Sequence, residues 1–176
     1  MKSWQEGGGP EYTCSENECF YEWKSDEVQA KHRKSIALQL GPQLDLDVPD
    51  SLKKYYEYLM SPFETMYISR GGCGFALVDE PFRSPSGRES IDALVKYKRL
   101  DMIVNVLRGP NPGARVYAVL ALKRLRRDGI VLPPGTAATM SKVESLSVPV
   151  TMCFGCIVSS GLRASDVVNR WRDIER

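Results

Sequence analysis

Between residues 88 and 127 the apolar residues fall at helical spacing on both sides of one sharp break, and nothing else in the chain constrains its fold as strongly. Leu100, Ile103, Val104 and Leu107 lie within about 100° of a helical wheel. Gly109-Pro110-Asn111-Pro112-Gly113 then stops the helix, since proline lacks the N–H and glycine lacks the conformational restraint that would continue it. Beyond the break Ala114, Ala118, Ala121, Leu122 and Leu125 share a second arc of similar width, and Asp128-Gly129 ends that helix. Pro112 suits its first turn. The alanines on this arc allow a neighbouring helix to approach closely. One helix earlier, Ile91, Leu94 and Val95 begin another apolar stripe.

The flanking segments extend the helical reading. Residues 26–40 predict a helix with Ser25 as N-cap and Gly41-Pro42 as its stop, although Ser35 to Leu40 would also suit a short strand. Pro49-Asp50 opens a helix carrying Leu52, Tyr55, Tyr56 and Leu59, and Ser61-Pro62 ends it. Residues 63–79 read as short extended pieces about Arg70-Gly71-Gly72-Cys73-Gly74, forming a small hairpin or else a second helix with a Gly-rich end. Met140, Val143 and Leu146 share one face of a helix over 136–147. Pro149 suits the first position of the next, in which Val150, Phe154 and Ile157 keep helical spacing and Gly161 closes. Ser165 caps a last helix with Val168, Trp171 and Ile174 inside.

The run from Leu100 to Leu125 resembles a HEAT-type helical repeat, best over residues 99–127 and loosely over 86–176. Leu107 and Gly109 to Pro112 match the first helix end and turn of that family. Arg115, Ala118, Ala121, Leu122 and Leu125 match its second helix, with an arginine near the start and an Ala-rich face. Gly87-Arg88 to Leu94 echoes the start of an earlier second helix. No repeat is visible in the N-terminal half. The resemblance implies a mainly α fold, a short stack of antiparallel helix pairs, with a less regular N-terminal half. It also implies binding rather than chemistry, because such arrays present a surface to another protein and sometimes to nucleic acid.

The 176 residues carry a formal net charge of +2. That near-neutrality hides a separation. Residues 1–27 hold seven acids and two bases, a net of −5, whereas residues 88–127 hold ten bases and three acids, a net of +7. Residues 1–24 read as an acidic arm, irregular about Gly7-Gly8-Gly9-Pro10 and aromatic through Trp4, Tyr12, Phe20, Tyr21 and Trp23. Residues 25–176 read as a single helical domain. The basic stretch points to a binding surface of Arg108, Arg115, Lys123, Arg124, Arg126 and Arg127 for an acidic protein, for nucleic acid, or for the chain's own arm. Its last four cations also suit a helix C-terminus, where the dipole favours positive charge.

A single histidine, His32, stands in Lys31-His32-Arg33-Lys34, so sites that need two histidines from one chain are excluded. Cys153-Phe154-Gly155-Cys156 has the spacing of a redox pair or half a zinc site, but it is placed inside a helix rather than at an N-terminus that would activate the thiol. The alternatives are buried thiols, a redox pair, or a metal set with Cys14 and Cys19. The Gly-rich run around Cys73 lacks the spacing of a phosphate-binding loop and reads as a tight turn. No cofactor is expected, no apolar run is long enough to span a membrane, and no signal peptide opens the chain. The odd cysteine count fits a cytoplasmic protein, or an exported one whose leader had been removed. The expected function is a non-catalytic protein-interaction module, with thiol or zinc chemistry and nucleic-acid binding as alternatives.

Overall fold

Asn111 decides where the central helix pair turns. In the computed structural model, which describes residues 2–4, 12–14, 26–61, 67–73, 86–155 and 157–174, its side-chain Oδ1 accepts from Ala114 N at 3.2 Å and so caps the helix that follows. Its Nδ2 donates to Ser61 O at 2.8 Å, which ties the turn to the end of an earlier helix. Gly109 leaves the space that this turn needs. A Cβ there would meet Val106 O at 2.9 Å and Met60 Sδ at 3.1 Å.

The described elements run β1 (Lys2–Trp4), β2 (Tyr12–Cys14), α1 (Asp26–Leu40), α2 (Asp50–Met60), β3 (Tyr67–Cys73), α3 (Gly87–Lys96), α4 (Leu100–Leu107), α5 (Pro112–Arg127), α6 (Thr136–Ser145), β4 (Pro149–Gly155), β5 (Ile157–Arg163) and α7 (Ala164–Ile174). The chain is mainly helical, as its periodicity indicates, and among the described residues no helix is long and apolar enough to cross a membrane. Ser86 and Glu89 form a reciprocal capping box that starts α3. Gly41, with φ of +91°, takes the left-handed position that ends α1, and its N–H reaches Ala37 O at 3.0 Å.

Helices α4 and α5 pack on each other, α3 packs on α2, α4 and α5, and α6 contacts α1, α4 and α5. The core runs through all of them. Leu52, Leu59, Leu94, Ile103, Leu107, Ala118 and Leu122 are fully buried in one cluster. The alanines Ala114, Ala118 and Ala121 are all inside, as their arc requires.

One predicted helix is not a helix. Residues 149–163 form the antiparallel pair β4–β5, and β3 lies parallel to β4, giving a three-stranded sheet in the order β3-β4-β5. Val150, Phe154 and Ile157 do have helical spacing, but the segment follows the period of two. Val150 and Met152 are buried while Thr151 between them is half-buried. Pro149 is the first residue of the strand, a position where its missing N–H is tolerated. The register shifts by one residue between Val150↔Leu162 and Met152↔Ser159, and Gly161, with φ of +76°, takes up the extra residue as a bulge.

The sheet also corrects the reading of residues 63–79. Tyr67–Cys73 is not a helix but the strand β3, at the edge of the sheet among the described residues, and its partner β4 lies some 80 residues onward; residues 74–79 lie outside the described residues. In the N-terminal arm, β1 pairs antiparallel with β2, Trp4 facing Tyr12 in register, where an irregular segment was expected. Gly7 to Pro10 and Ser25 lie outside the described residues.

Candidate functional site

The basic surface does not hold together as one patch. Arg115 belongs to the interior, at 1% exposed. It lies in the first turns of α5 against Pro112, Val143, Val148, Val150 and Ala164, and its Nη2 donates to Pro110 O at 3.3 Å. The arginine near the start of the second helix therefore supports the turn rather than a partner. Lys123 is committed as well, since its Nζ lies 2.6 Å from Glu144 Oε1 and ties α5 to α6.

Arg124, Arg126 and Arg127 are exposed at the C-terminal end of α5. Their position is explained by the helix dipole, and Arg127 also lies 3.9 Å from Asp128. The adjoining segment is what the charge pattern alone did not reveal. Ile130 is 45% exposed and Val131 87%, so two β-branched apolar side chains stand in solvent directly after three exposed cations. Arg124 also borders a shallow hollow between α3 and α5, floored by Ile91, Val95, Tyr117 and Leu120 and flanked by the Arg88–Asp92 ion pair, 2.6 Å between Nε and Oδ2.

Arg108 lies apart from these, at the other end of α5. It ends α4 and reaches back over Gly41, where its Nη1 donates to Pro42 O at 3.1 Å and its own carbonyl accepts from Gln43 Nε2 at 3.2 Å. Its Nε is shielded from solvent and has no hydrogen-bond partner among the described residues. Such a donor costs about 1–3 kcal/mol when left unmade. Two adjoining hollows open here, of about 170 and 180 Å³, lined in common by Arg33, Gln43 and Pro110.

His32 borders the first of these hollows and is 8% exposed. Its Nε2 is 3.2 Å from Pro110 O. A carbonyl only accepts, so Nε2 carries the proton. The lone histidine joins α1 to the α4–α5 turn. His32, Arg115 and Asn111 thus converge on one turn, a structural knot that sequence reading missed because its members lie as many as 83 positions apart.

A second knot holds the connection between α1 and α2. Asn105, buried in α4, receives Leu44 N–H at Oδ1 (2.6 Å) and donates from Nδ2 to Leu44 O and to Tyr56 Oη, both at 2.8 Å. Burial pushes the Tyr56 phenol above its ordinary pKa, and the Asn105 amide opposes that rise. Nearby, Arg99 makes a forked contact to Asp101, with Nη2 to Oδ2 at 2.8 Å and Nε to Oδ1 at 3.0 Å, and also donates to Asp47 O at 3.1 Å. The Arg99 hydrogen bonds hold the Asp101 carboxyl below its ordinary pKa, with burial opposing.

Because the folded-state pKa of Asp101 is depressed, its contribution to stability is present above the unfolded value of about 3.9 and is lost as pH falls through the folded one. Urea midpoints of the native chain should therefore fall below about pH 4, and Asp101→Asn should remove part of that acid-limb slope. An identical acid limb in the variant would show that Arg99 gains nothing from this carboxylate.

Of the cysteines, Cys14 lies in β2, Cys73 ends β3 opposite Gly155, and Cys153 lies in β4 opposite Ser69 and Val158. Cys153 is thus in a strand, not four residues into a helix, which removes the expected helical face shared with Cys156. Of the candidate set Cys14, Cys19, Cys153 and Cys156, Cys19 and Cys156 lie outside the described residues. No protein family, no curated protein and no solved structure matches this chain.

Proposed function

We propose that the chain is a non-catalytic protein-interaction module, built on a HEAT-like helix pair, and that the C-terminal edge of α5 receives an acidic, partly apolar segment of another protein. The observation that carries this reading is the run of Arg124, Arg126 and Arg127 followed by the exposed Ile130 and Val131. Cations that only solvated the helix end would not need an apolar pair beside them. Exposed apolar groups at a charged rim are the composition of a docking site. Further support comes from the helix pair itself, with its proline-asparagine turn and its Ala-rich buried face.

The reading is tested by charge reversal. Arg124→Glu, Arg126→Glu and Arg127→Glu together should abolish retention of a partner from the native source while leaving the melting temperature within about 2 °C of wild type, because none of the three is in the core. Ile130→Ser with Val131→Ser should weaken the same retention. Retention unchanged in both variants would overturn the assignment of this edge. Retention that nuclease treatment abolishes would identify nucleic acid as the partner.

A further inference from the structure

The hollows around Arg108 have a composition that neither the fold nor the α5 edge explains. Apolar groups from Met60, Ile36, Ala37, Pro42 and Pro110 line them together with Gly41, the polar Gln29, His32 and Gln43, and the cations Arg33 and Arg108. Among the described residues lining them there is no carboxylate. Arg33 is exposed on α1 and makes no hydrogen bond or ion pair among the described residues. Arg108 spends one of its five donors on Pro42 O, and its shielded Nε is unmatched.

Two guanidinium groups at one opening, with no acid among the described lining residues, are a pair of like charges. Guanidinium groups recognise phosphate and carboxylate through charge-assisted, often bidentate hydrogen bonds, so such a pair beside apolar walls is suited to an anion with an organic part. The Arg108 guanidinium is also held in place. It lies over Gly41, with Nε 3.6 Å from where a Cβ would stand, an ordinary contact distance, and is tied by Nη1 to Pro42 O at 3.1 Å. The site is therefore pre-organised on the Arg108 side and adjustable on the Arg33 side.

We infer that this groove between α1, the Gly41–Gln43 segment and the α4–α5 turn binds a small organic phosphomonoester, its phosphoryl group between Arg33 and Arg108 and its organic part against Met60, Ile36 and Pro110. The charge selects the head group. Two permanent cations balance a phosphomonoester, which carries about −1.5 to −2 near neutral pH, better than a single carboxylate. The size selects the class. Hollows of about 170 and 180 Å³ suit a phosphoryl group with a short organic body and fall below the range of larger ligand pockets. Gln43 supplies a neutral amide at the shared wall. The groove lies at the N-terminal end of α5, about 24 Å along the helix from Arg127, so it is separate from the proposed protein-binding edge.

The test is calorimetric titration of the full chain with phenyl phosphate, benzoate and benzyl alcohol. Phenyl phosphate should bind with a dissociation constant of about 1 mM or tighter, benzoate at least about tenfold more weakly, and benzyl alcohol not measurably. Arg33→Gln should weaken phenyl phosphate binding about tenfold or more with the melting temperature within about 2 °C of wild type, since Arg33 is exposed and makes no hydrogen bond or ion pair among the described residues. Lys34→Gln, the adjacent exposed cation outside the groove, should bind as wild type does. Arg108→Gln should also lose binding, but its tie to Pro42 makes Arg33→Gln the deciding variant. No binding at about 10 mM, equal binding of phosphate and carboxylate probes, wild-type affinity in Arg33→Gln, or an equal loss in Lys34→Gln would each overturn the inference.

Discussion

Leu107→Ala should destabilise the chain by about 3 kcal/mol, seen as a lower urea midpoint with an unchanged slope. Leu107 is the last residue of α4 and is fully buried in the cluster shared by α4, α5 and their neighbours. Its removal leaves a void at the point where the chain turns. That point cannot collapse inward, because His32, Asn111 and Arg115 hold the backbone on the far side. A rigid surround is the condition under which a cavity keeps its full cost. A loss below about 1 kcal/mol would mean that the turn relaxes, and that the knot around Pro110 is weaker than its hydrogen bonds indicate.

Asn105→Leu should cost about 2 kcal/mol, although leucine is close in size and better suited to a helix. The amide serves three partners at once, namely the N–H and C=O of Leu44 and the hydroxyl of Tyr56. A leucine would leave all of them to find water at a partly buried site, where the penalty of an unmet group exceeds the net gain of a met one. A spectroscopic readout accompanies the stability change. The amide opposes the upward shift of the Tyr56 phenol, so its removal should raise that pKa further, and the ultraviolet titration of one tyrosine should move to higher pH. An unmoved tyrosine titration with normal stability would show that the clamp is not formed in solution.

Both substitutions concern residues whose type the sequence displays but whose task it conceals. Leu107 is legible as a core residue because it repeats with Leu100, Ile103 and Val104 at helical spacing. Asn105 lies on the same helix but outside the arc of Leu100, Ile103, Val104 and Leu107, and the sequence assigns it no task. Its partners are 49 and 61 positions away, and no local pattern announces a contact at that range. Arg115 was misread for a related reason. A charged residue is assigned to the surface by default, and only the packing of α6, β4 and α7 around it, with Pro110 O as acceptor, makes an interior arginine tolerable. The region 149–163 failed differently. Its apolar residues satisfy periods of 3.6 and of 2 alike, and the choice fell to β3, a strand whose pairing lies far along the chain.

What the sequence determined by itself was the set of elements whose signals are local. These are the helices α1, α2, α4, α5, α6 and α7, with apolar spacing and, for most, proline or glycine stops within one or two turns, and the charge separation between the arm and residues 88–127. Tertiary structure alone decided which cations are buried or tied to another element and which stand exposed. It buried Arg115, paired Lys123 with Glu144, left Arg124, Arg126 and Arg127 beside Ile130 and Val131, and set Arg33 next to Arg108 across a groove. The physical reason is that burial and pairing depend on contacts between distant segments, whereas helical periodicity is a property of neighbours three and four residues apart.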